Sequence, residues 1–186
     1  MIIVEGPDGA GKTTIVEALQ ERFDLPIAQR VVTQDAVAMV DLQDWVDNNL
    51  EEGFQRTIFD RHRLISETIY GPILRTAAQP GFTRLSWLGP RMKRFYQLEP
   101  IIIYCLPPIE IVAKNIEGDE NNRVVWEKFE AIYSAYVSRA SLDLQFSPGI
   151  TRVWDYTTSP TVRKEPAFFS DIDRALNGPR IRGIFA

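Results

Sequence analysis

The sequence predicts an α/β domain built on a parallel sheet, and three observations carry that prediction. Short apolar runs at 1–5, 57–59, 101–106 and 150–154 alternate with longer segments of helical periodicity, as strands covered on both faces of a parallel sheet do. A glycine-rich segment joins the first run to the first helical stretch. The chain has 186 residues, 45% of them hydrophobic and 25% charged, enough for one core and too few for two ordinary domains. A single domain over 1–186 is expected.

Taken in order, 1–5 is the first strand. Residues 12–23 carry Ile15, Val16, Leu19 and Phe23 at helical spacing, so a helix follows directly. A weaker strand signal lies over 28–33, interrupted by Arg30, and a second helix is expected over 41–52. After the run 57–59 a long helical pattern covers 64–77. Pro107 and Pro108 close the strand at 101–106, and Ile109 to Ile116 resumes as a helix because proline suits a first helical turn. The pattern over 124–145, rich in Phe129, Ile132, Tyr133, Tyr136 and Val137, flanks the sheet before the strand at 150–154. From Asn177, with Gly178, Pro179 and Gly183, a loosely held tail is expected.

Composition narrows the function classes. The longest apolar run, Ile101 to Pro108, is far short of the roughly 20 residues a membrane span needs. No basic leader precedes Ile2, so no membrane partner and a cytoplasmic location are expected. Cys105 is the single cysteine and lies inside that apolar run, where a small core residue is expected rather than a reactive thiol. The net charge of −4 argues against broad attraction to nucleic acid, although Arg84, Arg91, Lys93 and Arg94 form a local basic stretch.

Two segments carry chemistry. Gly6-Pro7-Asp8-Gly9-Ala10-Gly11-Lys12-Thr13 matches G-x-x-x-x-G-K-[ST] between a strand and a helix. In such a loop, backbone N–H groups of Gly9, Ala10 and Gly11 through Thr13 and Thr14 cradle phosphates, Lys12 reaches the β- and γ-phosphates, and the Thr13 hydroxyl goes to Mg²⁺. The competing reading is a glycine-rich turn that holds no ligand. Thr57-Ile58-Phe59-Asp60-Arg61-His62 ends a strand in an acid, a guanidinium and the only histidine, at the sheet end where ligands bind. Asp60 is a candidate to orient the Mg²⁺ shell or the attacking hydroxyl, and Arg61 to fork onto a phosphate; the alternative is a helix cap with an ion pair. His62 is expected to be a packing residue rather than a base.

Val4-Glu5-Gly6-Pro7-Asp8-Gly9-Ala10-Gly11-Lys12-Thr13-Thr14, then Asp60-Arg61-His62, then Ile103 to Glu110 with Asn122-Arg123, resemble the thymidylate kinase branch of nucleotide kinases over about two-thirds of the chain. The resemblance implies that Asp8 contacts a substrate deoxyribose, that Asp60 and Arg61 hold the acceptor phosphate, and that the lid residue Arg123 reaches the ATP phosphates as the catalytic arginine. Ser66 and Tyr70 resemble the serine and tyrosine that follow the Asp-Arg pair in that family, displaced by one residue. The chain departs from the family between Gly11 and Asp60, where 48 residues leave a short segment without the Arg-Glu-Pro-Gly element or the base-gripping phenylalanine and arginine. Trp45, Phe54, Trp87 and Tyr96 are aromatic candidates for stacking on a base, with packing as the alternative. Asp155-Tyr156-Thr157-Thr158-Ser159-Pro160 stands where this kinase group packs adenine, or is an ordinary turn.

The resulting expectation is a three-layer P-loop NTPase fold of the nucleotide-kinase type, with a parallel five-stranded sheet in the order 2-3-1-4-5 and a short lid near 117–124. The expected reaction moves the γ-phosphoryl of ATP, with Mg²⁺, to a dTMP-like deoxynucleoside monophosphate. A hydroxymethylated pyrimidine in DNA is the second candidate acceptor, and an ATP-binding regulatory module is a third reading. A homodimer is compatible with all three.

Overall fold

β1 (Ile2–Glu5) is an inner strand of the sheet, and its residues explain that place. Ile2, Ile3, Val4 and Glu5 are all buried, which requires cover on both faces. The computed structural model describes residues 1–28, 39–51, 56–74, 85–117, 123–147, 149–158 and 165–177, without the side chains of 39–43 and 85–87. β1 pairs in parallel with β2 (Ile58–Asp60) on one side and β3 (Ile101–Cys105) on the other, with Ile3 opposite Phe59 and Ile102. β4 (Ile150–Trp154) pairs in parallel with β3, giving the order β2-β1-β3-β4.

Because successive side chains of a strand point to opposite faces, each strand feeds two cores. Ile2, Val4, Ile101, Ile103 and Cys105 pack under α1 (Lys12–Phe23), α5 (Ile109–Ile116) and α8 (Pro166–Asn177). Ile3, Phe59, Ile102 and Tyr104 face α2 (Met39–Asn49), α3 (Arg63–Leu74), α4 (Leu85–Gln97) and α7 (Phe129–Phe146). The second layer holds a buried polar knot: the Tyr96 and Tyr104 hydroxyls and Arg139 all donate to the Asp143 carboxylate, tying α4 and β3 to α7. Such a knot tolerates burial because every member has a partner.

The structure corrects several expectations. The sheet has four strands among the described residues, not five. Of the expected strand at 28–33 only Ala28 is described; next to it Ile27 makes a single parallel bridge to Ile58, and 29–33 lie outside the described residues. The strand at 57–59 runs from Ile58 to Asp60. The helix expected over 64–77 is described to Leu74. The pattern over 124–145 is two helices, because Lys128 leaves helical geometry (φ −114°, ψ 10°) between α6 (Arg123–Glu127) and α7. α4 and α8 were not expected. Most of the expected lid (118–122) and the tail from Gly178 lie outside the described residues. No described helix is long and apolar enough to cross a membrane.

Candidate phosphate-binding site

The site grows from the carboxyl ends of β1 and β2. At Gly6 the backbone has φ +143°, and a Cβ there would stand 2.5 Å from the Cys105 carbonyl oxygen, so only glycine lets β1 turn away beside β3. Gly9 and Gly11 are left-handed (φ +74° and +79°), the backbone form from which anion-binding concavities are made. Asn115 donates to the Gly9 carbonyl (2.8 Å) and to the Tyr156 hydroxyl (2.7 Å), and the Tyr156 ring lies against Gly11. α5 and the turn after β4 therefore brace the outside of the loop.

Gly11 caps α1 without a side-chain hydrogen bond, and no acidic residue stands in the first turn. The first-turn N–H groups and the helix dipole are thereby presented to an anion from outside the chain. Lys12 is buried and donates from Nζ to the Pro7 carbonyl at 2.6 Å. Burial, with Arg61 acting in the same direction, pushes its pKa down to about 8.

Arg61 comes to the loop from the end of β2. Its backbone is left-handed (φ +70°) and its N–H donates to the Val4 carbonyl at 2.9 Å. One guanidinium nitrogen donates to the Asp8 carboxylate (2.7 Å), to the Tyr70 hydroxyl (3.0 Å) and to the Gly6 carbonyl (3.2 Å). Tyr70 in turn donates to the other Asp8 oxygen at 3.2 Å. Burial pushes the Asp8 carboxyl up, but Arg61 and Lys12 outweigh it and hold it below its ordinary range.

Beneath this surface lies Glu5, wholly buried. Its Oε1 accepts the His62 N–H at 2.7 Å and its Oε2 accepts the Tyr136 hydroxyl at 3.0 Å. Burial pushes its pKa up to about 7. The sequence contained Glu5 in its motif, but no role was expected of it; the legible signal is a lone acid closing an otherwise apolar strand.

The structure thus gathers Asp8, Lys12, Arg61 and Tyr70 at one loop, with Asp60 on the adjoining strand opposite Val4 and Thr13 in the first turn of α1. It does not bring Ser66 or Arg123 there. Ser66 is buried and its hydroxyl donates to the carbonyl of His62, the residue just before its own helix (3.3 Å), whereas Arg123 is 82% exposed and paired with Glu127. His62 packs among Trp45, Phe59 and Phe95, and burial pushes its pKa down to about 3. Cys105 is a core thiol that burial raises to about 12.

Trp45 is taken up by Phe59 and His62, and Tyr96 by Asp143 and Arg139; Phe54 and the Trp87 side chain lie outside the described residues. In the basic stretch, Arg91 forks onto Asp47, and Arg84 is not described. Asp155 accepts the Thr157 N–H and hydroxyl in a local turn, and 159–160 are not described.

The residues present fit a magnesium nucleotide. The loop and the uncapped start of α1 suit phosphates, and Thr13 and Asp60 offer the oxygen donors a hard cation takes. No group of three His, Cys, Asp or Glu that would cage a metal by itself occurs among the described residues.

No protein-family model and no curated protein matches the sequence. Solved structures do match. The YorR protein of Bacillus subtilis, in complex with phosphorylated GDP, is similar at TM-score 0.62 and 17% identity, over 93% of this chain and 96% of that one. The deoxyadenosine kinase of M. mycoides is similar with bound dCTP (TM-score 0.56, 16% identity, 92% of this chain and 98% of that one). With bound dATP it is similar at TM-score 0.53 and 14% identity, with the same coverage. The chain shares the fold of these structures. At these identities the likeness speaks for the fold alone.

Proposed function

We propose that the chain transfers the γ-phosphoryl of ATP to a deoxynucleoside monophosphate. The observation that carries this reading is the meeting of two buried-side cations at one loop: Lys12 from α1 and Arg61 from the end of β2, with Asp8 and Tyr70 beside them. Lys12 is suited to the donor phosphates, and the planar Arg61 fork to an acceptor phosphate. Asp8 and Tyr70 then offer polar groups to a sugar hydroxyl. Nucleotides in the solved structures of similar fold support a nucleotide ligand.

In the reaction an acceptor phosphate oxygen bonds to the γ-phosphorus while the bond to the β–γ bridging oxygen breaks and ADP leaves. A monophosphate oxygen is already ionised near neutral pH, so the protein's task is positioning and charge neutralisation. Magnesium, when bound with the help of Thr13 and Asp60, supplies further neutralisation of the phosphoryl oxygens. Arg123 is proposed to add charge from the lid side.

The similar deoxyadenosine kinase favours a second reading, a deoxynucleoside acceptor, in which Asp60 would orient the hydroxyl. The DNA reading has less support, because Arg91 of the basic stretch is already engaged by Asp47. The test offers ATP with single deoxynucleoside monophosphates, deoxynucleosides and a hydroxymethyluracil oligonucleotide, and follows ADP. Turnover of a monophosphate is expected. Turnover confined to another acceptor class would overturn the choice of acceptor, and ADP formation with none of them would overturn the kinase reading.

A further inference from the structure

We infer that Glu5 is a positioning residue that aims Arg61 at the phosphate loop by fixing the turn after β2. Two consecutive residues of β1 hold two consecutive amides of that turn. The Val4 carbonyl accepts the Arg61 N–H at 2.9 Å, and the Glu5 side chain accepts the His62 N–H at 2.7 Å. Between these anchors Arg61 adopts φ +70°, a conformation a side-chain-bearing residue keeps only where its surroundings impose it. Tyr136 on α7 fixes the other Glu5 oxygen at 3.0 Å, so the anchor is itself held from the helical layer.

Reach, rather than charge, is what the turn uses. Burial raises the Glu5 carboxyl to about 7, so both protonation forms exist near neutrality. In either form Oε1 accepts the His62 N–H, and the Tyr136 hydroxyl is able to turn from donor to acceptor. A glutamine preserves this reach and an aspartate does not.

The inference rests on the reading of Arg61 as the ligand of the acceptor phosphate, and the test separates the two. Kinetics and calorimetric affinity for dTMP and for MgATP are measured for wild type, Glu5→Asp, Glu5→Gln, Arg61→Ala and the double variant Glu5→Asp/Arg61→Ala. Glu5→Asp is expected to raise the KM and Kd for dTMP about tenfold with MgATP within about twofold, and Glu5→Gln to restore dTMP to within about threefold of wild type. On the Arg61→Ala background Glu5→Asp is expected to add nothing, since residues acting through one group are not additive. If Arg61→Ala leaves dTMP unaffected, the assignment of Arg61 falls and the inference with it. If Arg61→Ala weakens dTMP but Glu5→Asp does not, or weakens both substrates alike, or multiplies with Arg61→Ala, the inference alone is overturned. A merely structural Glu5 would lower the melting temperature without that division between substrates.

Discussion

Lys12 has its ammonium on the Pro7 carbonyl of its own loop, so the loop holds the lysine in place beside the proposed site of the transferring phosphoryl. Removing that charge from a water-poor site is expected to cut turnover by at least about a hundredfold in Lys12→Ala, with the circular dichroism spectrum retained. Initial rates with ATP as donor check this, and wild-type turnover would detach the loop from catalysis. His62 makes a prediction of a different kind. Burial holds its folded pKa near 3, below the ordinary 6.5, so the folded state keeps the ring neutral where the unfolded state takes up a proton. Its contribution is fully present above about pH 6.5 and is lost as pH falls towards 3. Since it is the only histidine, its ring-proton NMR signal should stay flat from pH 8 to pH 5, and a midpoint near 6.5 in the folded protein would refute the buried placement.

At the scale of elements, the loop's geometry is a demand on one residue type. Gly6→Ala would put a Cβ 2.5 Å from the Cys105 carbonyl at φ +143°, and a loss of about 1–3 kcal/mol is expected in denaturant unfolding. An unchanged midpoint would mean that the β1 end shifts freely. Elements were legible where local signal and tertiary role agree. β3 reads as an unbroken apolar run and β1 as one closed by Glu5, and the G-x-x-x-x-G-K-[ST] spelling placed the loop between β1 and α1. α4 was hidden because Gly89 and Pro90 oppose helix locally, whereas Leu88 and Phe95 bury into the second core and override them. α8 did carry signals, a proline at its first position and Phe169 and Ile172 on its buried side. Of the site, Asp8, Lys12, Arg61 and Tyr70 converge as separate motif positions. The anchoring of Glu5 by His62 and Tyr136 joins residues 57 and 131 positions apart, which no local pattern encodes. Ser66 illustrates the opposite case, a hydroxyl consumed at the His62 carbonyl just before its own helix.

For the whole molecule, a ligand that binds only the folded state stabilises it by mass action. At a hundred times its dissociation constant MgATP should add about 2.7 kcal/mol, roughly 5–10 °C in melting temperature for a chain of this size. Differential scanning fluorimetry reads this, Lys12→Ala should reduce the shift, and no shift at saturating MgATP would sink the nucleotide reading. The sheet order carries a consequence for synthesis on the ribosome. β1 leaves the exit tunnel before both of its partner strands, yet it is an inner strand whose neighbour β3 begins only at Ile101. At about 5–20 residues per second, roughly 5–20 s pass before that neighbour exists. During that interval Ile2, Ile3 and Val4 have one face of hydrogen bonds unfilled and no second wall to bury against, and contacts so distant in sequence form slowly even afterwards. Nascent chains stalled before Cys105 should therefore be protease-sensitive and bind holding chaperones, and resistance should arise in one step once the β3 segment has emerged.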